Sequence, residues 1–193
     1  MAQRGGGGRR RRQRRQQQQY EELDKYPVMP PHAFARIVRD LRTLNIVYQV
    51  IEPPLTKKEE EVRSEIQAIF IQALTADIDE IDANPELYLR AAMDQIVKSY
   101  RLKVNKKSRS KIFYYLKRDL IGYGRMDVLM NDANVEDVSL DGTNIPIFAY
   151  HRKFESTETT IAWPDDQELE SYVIKLAQRC GKHISVAEPL LDA

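Results

Sequence analysis

The chain has one cysteine, Cys180, so no disulfide can form within it. No apolar run approaches the roughly 18 residues needed to span a bilayer. The N-terminus is positively charged, but the apolar stretch that a secretory signal needs does not follow it. These absences make a cytoplasmic protein the expectation. The three histidines, His32, His151 and His183, are scattered, and with one cysteine they show no spacing typical of a zinc site. Each reads as an ordinary surface or half-buried residue. A phosphate-binding loop of the form G-x-x-x-x-G-K-[ST] is also missing. The only Gly-Lys pair, Gly181-Lys182, is followed by His183 and has Leu176 where the first glycine belongs. Gly122-Tyr123-Gly124 is no dinucleotide fingerprint, since Asp127 stands in place of the third glycine. The acidic residues fall mostly on solvent faces, and none form a distinct catalytic pair.

What is present divides sharply. Residues 1–19 hold seven arginines and no acid. Overall the 30 basic and 29 acidic residues nearly balance, so the body is net acidic once that tail is set apart. The tail is low in complexity: Gly5 to Gly8, an arginine block, then Gln16 to Gln19. Having almost no apolar surface to bury, it is expected to be disordered. Folded structure is expected from about Tyr26, after a tail of residues 1–25, because Pro27, Pro30 and Pro31 supply stiff punctuation.

With 42% hydrophobic residues, the remainder can form a core. Phe34, Ile37, Val38 and Leu41 recur at helical spacing and predict a helix over 32–44. A strand follows over 46–51. Thr56 and Glu59 form a capping box that opens a helix with Val62, Ile66, Ile69, Phe70, Ala73 and Leu74 on one face. Asn84-Pro85 caps another helix, with Leu89, Met93, Ile96, Val97 and Tyr100 inward. A third is expected over 108–121, showing Ile112, Tyr115, Leu116 and Leu120, and ended by Gly122 and Gly124. Short runs around Val135, Ile145, Ile147, Phe148 and Tyr150, broken by Asp141-Gly142, then read as strands. So does 159–163. Asp165 and Glu168 open a last helix with Leu169, Tyr172, Val173, Leu176, Ala177 and Cys180 inward, and Gly181 closes it. In this reading Cys180 is a small buried hydrophobe. The expected class is α+β: a mainly helical part over 26–121, then an α+β part over 122–193.

Four segments resemble one family. YQVIEPPL (48–55), GYGRMDVLM (122–130), VEDVSLDGTNIPIFAYHRKF (135–154) and ISVAEPLL (184–191) are similar, in family order, to the archaeal branch of the secretion ATPases. These motors drive type IV pili, archaella and type II secretion. The likeness covers about 26–193, and 135–154 is its most specific part. It implies the N-terminal domain of a hexameric motor, an N-terminal helical subdomain followed by a small α/β sandwich-like domain. ATP and Mg²⁺ would be held by a RecA-like C-terminal domain that this sequence does not reach. No cofactor is therefore expected in this chain, and no catalytic residue of the family can be placed on it.

The implied partners are the motor's own ATPase domain, neighbouring subunits and a polytopic membrane platform protein, which would put the chain at the inner face of the cell membrane. Arg125, His151, Arg152 and Lys153 are the basic candidates for a contact at the nucleotide edge or between domains. Arg9, Arg10, Arg11, Arg12, Arg14 and Arg15 are candidates for an anionic partner, lipid or nucleic acid. The competing readings are a nucleic-acid-binding module working through that tail, and a standalone adaptor of a membrane complex.

Overall fold

In a computed structural model, residues 19–73 and 84–182 are described. The fold is α+β: among the described residues there are six strands in one sheet, and five α-helices. The chain divides into two compact units, 1–51 with 128–193, and 52–127.

The first unit holds the sheet. β1 (Tyr20–Met29), β2 (Ala33–Asp40) and β3 (Ile46–Ile51) form an antiparallel meander. β4 (Val135–Ser139), β5 (Phe148–His151) and β6 (Glu155–Thr159) form a second. The strand order is β1-β2-β3-β6-β5-β4, so the two meanders meet where β3 pairs in parallel with β6 through Val47↔Glu158 and Tyr48↔Thr159. A parallel pair cannot close through a tight turn and needs a long crossover. Here the residues between β3 and β4 include the whole second unit.

Directly opposed residues share a face of the sheet. One face carries Ala33, Ala35, Ile37, Tyr48, Ala149, His151, Thr157 and Thr159, all at most 2% exposed. The same unit also contains the last helix (Asp166–Arg179, below α5). Asp165 caps it by accepting from the Glu168 N–H at 2.8 Å. At its other end the Lys182 N–H donates to the Ala177 carbonyl and that of Gly181 to Gln178, the Schellman pattern that a left-handed Gly181 allows. Trp163, nearly fully buried, packs against Tyr172 of that helix with ring centroids 4.8 Å apart.

The second unit is helical. α1 (Lys57–Ala73), α2 (Pro85–Ser99) and α3 (Lys106–Leu120) enclose Ile66, Phe70, Leu89, Met93, Ile112 and Leu116, with Ile96 and Phe113 beside them. The expected caps are formed. The Thr56 N–H donates to Glu59 Oε2 at 2.7 Å, and the Glu59 N–H to Thr56 Oγ1 at 3.3 Å. Asn84 accepts from the Leu87 N–H. The stretch before α1 is gripped by α3. Tyr114 and Arg118 both hold the Glu52 carboxylate, the arginine through two bonds of 2.9 Å, while Tyr115 donates to the Pro53 carbonyl. Burial and the nearby Glu52 carboxylate push the Tyr115 phenol up to about 12. Lys111, first among its partners, draws the Glu59 carboxyl down to about 2. After α3 a 3₁₀ turn (Gly124–Met126) leads into the short α4 (Asp127–Met130).

Several expectations are corrected. β1 already runs from Tyr20, upstream of the start expected near Tyr26, and Pro27 lies within it, beside a register shift, where a missing N–H is tolerated. The helix expected over 32–44 is β2. Its apolar residues fit a 3.6 period, but Ala33, Ala35 and Ile37 also alternate, and two strand partners favour the second pattern. Leu41 is exposed. The strand expected over 159–163 is Glu155–Thr159. Tyr100 and Cys180 are exposed, each past the last turn of its helix. Leu74 and ISVAEPLL lie outside the described residues. The helical part is not N-terminal but inserted in the chain between the two halves of a sheet, and the described residues hold a single sheet. Among them, no helix is long and apolar enough to cross a membrane.

Position 122 has no room for a Cβ. A Cβ there would meet the Asp127 carboxylate, which accepts from the Tyr123 N–H at 2.9 Å, and would stand 2.9 Å from the Arg118 carbonyl oxygen. Gly181 has a positive φ of 67° but open space around it. We expect Gly122→Ala to destabilise by about 1–3 kcal/mol through overpacking, and Gly181→Ala by only about 1 kcal/mol through backbone strain. Urea denaturation followed by circular dichroism measures both. The reverse order would contradict the packing described at Gly122.

Candidate functional site

The residues proposed from sequence fall in different parts of the chain. Arg125 is exposed in the 3₁₀ turn of the helical unit. His151, Arg152 and Lys153 belong to the sheet unit, where His151 ends β5 and the other two occupy the turn to β6. The arginines at 9–15 lie outside the described residues.

His151 is not a surface residue. It is 2% exposed and enters a polar network beneath the turn. The Lys153 N–H donates to His151 Nδ1 at 3.1 Å, so in the neutral ring the proton sits on Nε2. That nitrogen lies 3.0 Å from the Tyr26 hydroxyl and donates to it. Tyr26 donates in turn to Asp132 Oδ2 at 2.7 Å, and buried Tyr48 donates to the same oxygen at 2.6 Å. The other oxygen accepts the Asn134 N–H at 2.9 Å and its side-chain amide at 3.2 Å. One carboxylate from the α4–β4 turn thereby ties together β1, β3 and, through Tyr26, β5. Burial pushes both phenols up, with the Asp132 carboxylate adding to it. Burial also lowers the His151 pKa and outweighs the opposing pull of Asp132 and Asp24.

Such a network can fix a turn, but it offers no free group for a reaction. No buried side-chain nitrogen or oxygen among the described residues lacks a partner, and no cluster of His, Cys, Asp or Glu there could hold a metal. The accessible chemistry is the pair of cations above the network. Arg152 meets Glu136 at 3.0 Å and Lys153 meets Asp24 at 3.4 Å, both on exposed surface where ion pairs contribute about 0–1 kcal/mol. His151 thus acts behind the contact proposed for it, as a support for its two neighbours.

One signal in the sequence was passed over. Residues 98–118 contain nine lysines and arginines and no acid. Lys106 and Lys107 open α3, whose first turn has no acidic residue, where the helix dipole disfavours cations by about 0.3–1 kcal/mol each.

No family model matches the chain. It is 40% identical over 146 residues to uncharacterized protein MJ1288 of Methanocaldococcus jannaschii, a match covering 75% of this chain and 58% of that relative. Two further proteins of that organism match at 35% identity: MJ0900 over 92 residues, 48% of this chain and 16% of the relative, and MJ0781 over 82 residues, 42% and 11%. The chain therefore spans less than two thirds of each relative, and most of the latter two lies outside the match. Their names state no activity.

The network makes two testable statements. Tyr48→Phe should lower stability by about 1–3 kcal/mol, because Asp132 loses a buried donor, and Tyr26→Phe by less, since Tyr26 is half-buried. The pH dependence follows from His151. Its folded pKa lies below the unfolded value of about 6.5, so the unfolded chain binds the proton more tightly. Stability should fall as pH drops below about 6.5, and this term should be flat above it. Denaturation midpoints from pH 7.5 to 5 should show a steeper decline for the native chain than for His151→Gln. Identical slopes would remove His151 from the network's titration.

Proposed function

We infer that this chain is a non-catalytic coupling part of a secretion ATPase motor of the archaeal type II secretion, type IV pilus and archaellum kind. The observation that carries the reading is the resemblance of 135–154, the stretch that forms β4, β5 and the charged turn after them. Two physical features support it. Arg152 and Lys153 are displayed on a turn whose backbone is pinned by a buried network, so they are presented with little loss of freedom on binding. Their present ion pairs are weak and can be exchanged for an acidic surface on a neighbouring domain. The long relatives are consistent with a module carried inside larger chains.

In this reading ATP and Mg²⁺ belong to another domain. This sequence has no Gly-rich phosphate cradle, so no step of hydrolysis is assigned to its residues. The partners are that ATPase domain, adjacent subunits of the ring and a membrane platform protein, with the chain peripheral at the inner face of the membrane.

The isolated chain should release phosphate from ATP no faster than buffer. Turnover that persists through purification and disappears with a point substitution in this chain would refute the non-catalytic assignment. In the full-length parent, Arg152→Ala with Lys153→Ala should leave folding unchanged and lower ATP turnover or slow ring assembly. Native turnover and assembly in that double variant would reduce the turn to ordinary surface.

A further inference from the structure

The helical unit carries a groove that none of the foregoing uses. It holds about 440 Å³ and lies where the start of α1 faces the α2–α3 connection and the first turns of α3. That volume is within the range of small-molecule sites. Its floor is apolar, made by Val62, Val104 and Ile112, and its rim carries Lys58, Lys103, Lys107 and Lys111. Glu59 is the only acid in the lining, and Lys111 meets it at 2.6 Å. Lys58, Lys103 and Lys107 are exposed and have no partner among the described residues. Of the other cations of residues 98–118, Arg109 pairs with Asp94, Lys117 with Glu86 and Arg118 with Glu52, while Lys98, Arg101 and Lys106, on and beside the α2–α3 connection, also lack a partner among the described residues. Within α3 the cations from Arg109 onward are paired, whereas those gathered where the α2–α3 connection enters the helix, three lysines of the groove rim's neighbourhood (Lys103, Lys106 and Lys107), are not.

That arrangement opposes local stability. Like charges gathered on one rim repel, and Lys107 adds a cation at the positive end of the α3 dipole. A local rule broken without a compensating contact within the fold is characteristic of a place where something binds. The missing contact is an anion. Lysines are point charges suited to phosphate, while a bidentate carboxylate would favour arginine.

We propose that this groove binds a small ligand bearing a multiply charged phosphate group, with Lys58, Lys103 and Lys107 meeting the phosphate and the apolar floor taking the rest of the molecule. A soluble ester and a lipid headgroup both carry such a phosphate, and the chemistry at the rim is the same for both. The proposal rests on the groove alone, and stands or falls separately from the secretion-motor reading.

The test uses the full chain, its Lys58→Gln/Lys103→Gln/Lys107→Gln variant, and a charge-matched control, Lys25→Gln/Arg42→Gln/Lys182→Gln, altered only in the sheet unit. Tripolyphosphate and, separately, duplex DNA are titrated against each by thermal shift and calorimetry, and each is co-sedimented with vesicles of phosphatidylglycerol in phosphatidylcholine. Saturable tripolyphosphate binding is expected in the native chain and the control. In the groove variant it should be weaker by about a hundredfold at low salt, a factor of about five for each lysine. Without ligand, the groove variant should unfold at a slightly higher temperature, since the uncompensated charge is relieved. Vesicle binding lost with the same three lysines assigns the phosphate to a headgroup; its absence from all three proteins assigns it to a soluble ester. Equal weakening in the variant and the control would show a net-charge effect and overturn the site, as would no saturable binding. A groove variant that keeps tripolyphosphate but loses duplex DNA would replace the proposal with a nucleic-acid surface.

Discussion

The sheet is held together at Tyr48. Its two halves come from distant parts of the chain and share only two residue pairs, of which Tyr48↔Thr159 is one. The Tyr48 carbonyl accepts the Thr160 N–H at 3.0 Å, and its hydroxyl reaches Asp132 from beneath. One residue therefore serves the backbone seam and the buried polar network at once. So short a parallel seam would be weak alone, since a long loop must close before it gains anything. The Asp132 carboxylate compensates by bonding β1 and β3 to the turn that leads into the second meander. Losing that carboxylate would strand two phenol hydroxyls under the sheet, one of them fully buried, which is the expensive direction for a hydrogen bond to fail.

This dependence explains what could be seen in the sequence. The helical unit was legible because its signals are local. Thr56 and Glu59 bond each other, Asn84 caps the turn beside it, and Val62, Ile66, Ile69 and Phe70 follow one helical stripe. β2 was not legible. Ala33, Ala35 and Ile37 declare a strand only when β1 and β3 lie on either side, and β1 is so polar that it resembles an extension of the tail. The partition of the chain was hidden for the same reason. No residue near Ile51 or Val128 announces that β3, before the insert, pairs with β6, well after it.

The candidate site was legible in position and not in depth. His151-Arg152-Lys153 stands out as a basic triplet after a strand, but alternation in β5 places its first member on the buried face and leaves the others in the turn. Only the fold shows that an aspartate nineteen positions earlier supports the histidine through a tyrosine of β1. The lysine-rich stretch at 98–118 was visible throughout. Its meaning depends on which of its cations find acids once α2 and α3 pack.

The two kinds of electrostatics in this protein are sorted by burial. Glu52 with Arg118, and Asp132 with its four donors, are partly or wholly withdrawn from water, where breaking one partner strands the other. They are therefore fixed parts of the frame. Arg152 with Glu136, Lys153 with Asp24, and the unpaired lysines of the helical groove lie in solvent, where a pair is screened and readily exchanged. A protein that must present charge to a partner benefits from this division. The groups that change partners are those whose loss leaves the fold intact, and the groups that position them are those the fold cannot lose.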